Sequence, residues 1–121
     1  MISHAGGAVE ASFGAEKPVV AQPLGVLRAD TDGRGGPGAR VTAATLTPAG
    51  DWLLLRTYEA VWAFPATADG WDEAGRVRLA APTEAQGEAI TWDEARQGWW
   101  SISERGDAGL APTLWFTRCT P

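Results

Sequence analysis

Residues 84–107, EAQGEAITWDEARQGWWSISERGD, decide how the chain is read. The acids in this stretch suggest a catalytic loop, whereas the spacing of its apolar residues suggests one unit of a repeating sheet. The second reading gains support upstream. GEAITW (87–92) plays the part of VTAATLT (41–47), an alternating run of strand length that ends in the turn PAGD (48–51). DEARQG reads as the matching turn, one residue longer. WWSIS (99–103) then matches WLLLR (52–56), and TLWF (113–116) matches AVWAF (60–64). On this alignment Trp52 and Trp99, like Leu55 and Ile102, stand 47 residues apart, while Trp62 and Trp115 stand 53 apart because GDAGLAP (106–112) is inserted.

A period in the upper forties, made of short strands and turns, is the signature of propeller blades. A small antiparallel barrel or sandwich is the other architecture these strands allow. Residues 19–27 read as an outer strand despite Pro23, and 76–80 as another. The expected fold is therefore all-β: about two four-stranded antiparallel propeller-type blades, a partial β-propeller over 19–121 after an irregular segment 1–18. The strand at 19–27 would complete the last blade. Two blades cannot close a ring, which needs at least about four. Either further blades or further copies of the chain are expected to cover the open faces, and three copies would supply six blades.

VTAATLTPAGDWLLLRTYEAVWAF (41–64) and QGEAITWDEARQGWWSISE (86–104) resemble the WD-repeat-like propellers of bacteria, notably actinobacteria. The sequence is also similar to phytase-esterase-like propellers. The resemblance spans roughly 19–119 and implies the C-terminal blades of such a protein. TPAGD stands where those proteins usually carry SPDG, which displaces the turn aspartate to Asp51. The hydrolytic activity of some such propellers would need blades that this chain does not contain, and a shared fold does not by itself carry an activity.

Composition narrows the function. Hydrophobic residues make up 45% of the 121, enough for a packed core. Net charge is −5 and nine scattered Arg supply nearly all the cations, so neither a phosphate backbone nor an anionic membrane finds a basic patch. Cys119 is the single cysteine, which precludes an intrachain disulfide and a Cys-rich zinc site and reads as a small apolar residue on the last strand. No signal-peptide pattern or transmembrane-length apolar run is legible.

In propellers, ligands bind where strand ends converge, so Arg56, Tyr58, Glu88 and Glu104 are the candidate binding residues, joined by Trp71 in the loop ATADGWDEAG (66–75). Arg56 offers a forked donor and the two Glu offer acceptors. The same residues could equally form an Arg–Glu tie between neighbouring blades. Their use as an acid–base pair on a glycoside depends on a separation that sequence does not give. DTDGRGG (30–36) and DGWDEAG (69–75) mimic calcium loops, but Gly33 comes too early and Thr42 occupies the twelfth position, so both read as turns. His4 has no nucleophile motif to serve, and no G-x-S-x-G or phosphate-binding loop is present. No catalytic residue, metal or cofactor is expected. The seven Trp suit blade packing, above all Trp52, Trp62, Trp99 and Trp115; an exposed one could stack on a sugar. The expected function is a non-catalytic propeller-type scaffold or interaction module that associates with itself or with further blades and takes a protein or carbohydrate ligand. The alternatives are a phytase/esterase-like hydrolase completed by other blades and a lectin-like carbohydrate-binding protein.

Overall fold

Hydroxyl and turn chemistry shape the strands in the computed structural model, which describes residues 10–11, 19–29, 39–82, 87–104 and 111–119. Strand β3 (Val41–Leu46) meets β4 (Trp52–Thr57) through a turn organised by Thr47. The Thr47 hydroxyl donates to Asp51 Oδ1 at 2.5 Å and accepts from the Trp52 amide at 3.1 Å. Gly50 supplies the left-handed residue, φ 70°. The next turn is organised by Thr57, whose hydroxyl accepts from the Ala60 amide at 3.0 Å and from the Glu59 amide at 3.3 Å. Beyond it β5 (Val61–Thr67) pairs with β4, and β7 (Val77–Leu79) pairs with β5. The short β6 (Gly70–Trp71) folds back on the far end of β5. The order β3-β4-β5-β7 is a four-stranded antiparallel meander, one blade.

The second blade is the antiparallel meander β8 (Gly87–Asp93), β9 (Gly98–Ser103) and β10 (Leu114–Arg118). Its first turn is held by Asp93, whose carboxylate accepts from the Arg96 amide at 3.1 Å and from Arg96 Nη1 at 2.8 Å. Gln97 takes the left-handed conformation there, φ 51°. No α-helix occurs among the described residues. The fold is all-β with two propeller-type blades.

Register corrects the repeat by one residue. Each inner strand carries an irregularity at its second residue, between Val41 and Ala43 and between Gly87 and Ala89. These landmarks lie 46 apart. Thr47 bonds the Trp52 carbonyl through its amide at 3.0 Å, as Asp93 pairs with Gly98, so the two turns are equal in length. Leu55 pairs with Trp62 and Ser101 with Trp115, so Trp62 and Trp115 correspond as expected, but Leu55 corresponds to Ser101 and Leu53 to Trp99. Matching Trp52 to Trp99 would place equivalent residues on opposite faces, because side chains alternate along a strand.

The corrected register makes the two blades rotationally alike. Leu54, Val61 and Ala63 on one face of the first blade pack against Ile90 and Trp99 on the second, and Leu54, Val61 and Trp99 are at most 2% exposed. Residues equivalent to Leu54 and Ala63 are Trp100 and Phe116, which lie on the second blade's far face. The inner strands β3 and β8 run side by side in the same direction. The Thr42 hydroxyl donates to the Gly87 carbonyl at 2.5 Å, and the Thr45 hydroxyl accepts from the Trp92 amide at 3.1 Å.

Three expectations are revised. Residues 19–27 do not form the second blade's outer strand: β2 (Val19–Val20) pairs with β1 (Glu10–Ala11), and no fourth strand joins β10 among the described residues. Pro23 has no amide donor and Gly25 adopts φ 156°, so a continuous ladder is interrupted. Residues 24–27 instead border the first blade's other face, near Leu53 and Leu55. Of the four Trp expected between blades, Trp99 is there and Trp52 flanks that core. Trp62 lies on the opposite face with the guanidinium carbons of Arg76 and Arg78 each 5.9 Å from its ring centroid, and Trp115 is 41% exposed.

Ser101 lies in the interface between the blades, 2% exposed, and its hydroxyl has no hydrogen-bond partner among the described residues. A buried, unpaired hydroxyl costs stability. Ser101→Ala should therefore raise the unfolding free energy by about 1 kcal/mol, seen as a higher urea midpoint. A lower midpoint would mean that the hydroxyl has a partner.

Candidate functional site

Four of the five residues singled out from the sequence meet at one end of the blades. β4 ends there and β8 begins there, so Arg56 and Tyr58 come from the first blade while Glu88 and Glu104 come from the second. The Arg56 side chain is 3% exposed and lies across Gly87, where any Cβ would overlap the guanidinium. Gly87 is thus a spacer for Arg56, a role invisible in a list of polar residues. The irregularity at the start of β8 places Glu88 beside this charge.

Electrostatics bind the group together. Burial lowers the Arg56 pKa and the Glu88 carboxylate opposes that shift; an Arg remains a cation regardless. The Tyr58 phenol is shifted upward, first by the Glu88 charge and then by its hydrogen bond to that carboxylate, with smaller contributions from desolvation and Glu104 against Arg40. Tyr58 is therefore a neutral hydrogen-bond donor near neutral pH, with its proton directed at Glu88. A cation, a phenol and two carboxylates drawn from both blades thus lie within electrostatic reach of one another.

Trp71 does not belong to this cluster. It sits on β6, half-buried, at the opposite end of β5 from the residue that pairs with Arg56. There it lines a groove of about 550 Å³ with Leu24, Val26, Leu53 and Leu55. Residues 69–75 form β6 and a turn closed by the Arg76 guanidinium on the Glu73 carbonyl at 2.6 Å, as a turn reading requires. His4 and residues 30–36 lie outside the described residues. Among the described residues, no group of three or more His, Cys, Asp or Glu is arranged to hold a metal ion.

A second concavity escaped the sequence reading. At the other end of the inner strands, the two turns face each other across about 420 Å³ lined by Thr47, Asp51, Trp52, Trp92, Glu94 and Cys119 among others. The signal that could have revealed it is the correspondence of the turns: once β3 and β8 are neighbours, residues 48–51 and 94–97 must be neighbours too. Comparisons with protein-family models, curated proteins and solved structures find no match for this chain.

Proposed function

We propose that the chain is a non-catalytic propeller-type scaffold that works by docking blade on blade, with a second copy of itself as the partner. One observation carries this reading: the second blade's far face is apolar and open. Ile102 and Leu114 are 36% and 60% exposed, and the Trp100 and Phe116 rings meet at a 51° tilt with centroids 5.0 Å apart. In the corrected register this surface is equivalent to the first blade's buried face, so it is shaped to receive another blade. Leu24 and Val26, 81% and 89% exposed, lie toward the molecule's other side and give a second apolar surface. Two different apolar surfaces on opposite sides favour head-to-tail association, which closes into a ring when the rotation permits.

The cluster of Arg56, Tyr58 and Glu88 supports a structural reading over a hydrolytic one, because Arg56 is enclosed and the phenol proton is directed at Glu88. Ester and phosphate hydrolysis, with and without calcium, should stay at the buffer rate; turnover abolished by Glu88→Gln would reject the scaffold reading.

Light scattering during size-exclusion chromatography provides the direct test. The wild type at tens of micromolar should elute as an oligomer, and Ile102→Glu should elute as a monomer with an unchanged circular-dichroism spectrum. The substitution places a charge in the proposed contact at an already accessible position. A monodisperse wild-type monomer would overturn the proposal, as would an oligomer indifferent to Ile102→Glu.

A further inference from the structure

We infer that the groove between the two turns, walled by Trp52 and Trp92, is a binding site for an alkylated ammonium group. This inference stands apart from the docking face, which is on the second blade's outer side. The walls are anchored. The Trp52 amide bonds the Thr47 hydroxyl at 3.1 Å, the Trp92 amide bonds Thr45 at 3.1 Å, and the Cys119 amide bonds the Gln97 carbonyl at 2.9 Å. Both indoles are half-buried against the core, so their positions are fixed by packing as well as by these bonds. The Trp92 Nε1–H donates to Glu94 Oε2 at 2.8 Å, which sets the tilt of its ring.

Charge and hydrogen-bond capacity select the ligand class. The groove's lining includes two carboxylates, Asp51 and Glu94, and no Lys or Arg. Its principal donors are engaged by its own walls: Thr47 with Asp51 at 2.5 Å, Trp92 with Glu94, and Gln97 Nε2 with the Glu94 carbonyl at 2.8 Å. Indole surface and carboxylate oxygen remain, with the Trp52 Nε1–H as a single further side-chain donor. A sugar ring, with several hydroxyls that call for donors as well as acceptors, is poorly served by one indole N–H, and an anion is repelled. An alkylated ammonium needs only aromatic faces and negative charge. Its methyl groups also tolerate the apolar walls better than a strongly hydrated primary ammonium does. The same head occurs on choline-like small molecules and on trimethyllysine side chains, and the groove's chemistry serves both.

Cys119 lines the groove and is the chain's single cysteine, so its alkylation rate reports occupancy. The experiment measures iodoacetamide labelling of Cys119 and Trp fluorescence at constant ionic strength. The additions are choline, a trimethyllysine peptide, the same peptide unmethylated, 3,3-dimethylbutanol as choline's uncharged isostere, and glucose. Choline or the trimethyllysine peptide should slow labelling and alter fluorescence saturably, and which of the two binds tighter identifies the source. Glu94→Gln keeps an oxygen for the Trp92 N–H but removes the charge, and should weaken binding roughly three- to tenfold. Trp92→Phe retains ring packing and should also weaken it, while thermal melts show that both variants remain folded. The inference is overturned by equal protection from 3,3-dimethylbutanol, by protection from glucose and not choline, or by no protection from either ammonium ligand at tens of millimolar. Affinity unchanged in Glu94→Gln would equally overturn it.

Discussion

Trp99→Ala should lower the unfolding free energy by about 3–5 kcal/mol, the range for removing a large aromatic from a packed core. Trp99 is 2% exposed and belongs to the small cluster, with Leu54, Val61, Ala63 and Ile90, that joins the two blades. Truncation opens a void that strands fixed by ladders on both sides cannot collapse to fill. Small domains are stable by only about 5–15 kcal/mol, so the loss is a large fraction of the total. Urea unfolding followed by circular dichroism measures it. Trp99→Phe discriminates the cause: it keeps most of the ring volume and removes an Nε1–H that has no partner among the described residues. Its loss should be about 1 kcal/mol or less. A change below 1 kcal/mol in Trp99→Ala would show that the blades do not depend on this contact.

Gly98→Ala should be nearly as damaging, about 2–3 kcal/mol, for the opposite reason. Gly98 is buried where β9 faces β10, and an added Cβ would run into the Thr117 carbonyl oxygen, the Phe116 ring and the Arg118 Cα. Two of these are backbone atoms, so a rotamer change cannot relieve the clash and β10 must move away from β9. Gly87→Ala differs in kind, since the obstacle there is the Arg56 side chain. Thermal melts of Gly98→Ala should fall several degrees below wild type. An unchanged midpoint would mean that β10 is not packed against this position.

Much of this architecture could be read in the residues themselves. PAGD and the alternating VTAATL announce a hairpin because turn residues and a period of two are local signals. Those signals did not settle the pairing register. Identity pulled Trp52 onto Trp99, whereas the equivalence depends on the backbone bond from the Thr47 amide to the Trp52 carbonyl and on irregularities opposite Arg56 and Ile102. Residues 19–27 misled because apolar content says nothing about which edge a segment can reach once Pro23 interrupts its donors. Arg56, Tyr58, Glu88 and Glu104 were legible as neighbours since meanders return alternate strand ends to the same side. Trp71 was not, because β6 turns back on β5 and carries it to the opposite end. The groove of Trp52 and Trp92 depends on contact between repeats rather than on any motif within one.

The bond from the Trp92 amide to the Thr45 hydroxyl has a use in measuring motion. Most protected amides in a meander are shielded by the adjoining strand and lose protection only when that ladder unzips. This proton is shielded by a side chain of the neighbouring blade. Deuterium arriving at Trp92 ahead of its ladder neighbours would time the moment at which two intact blades part.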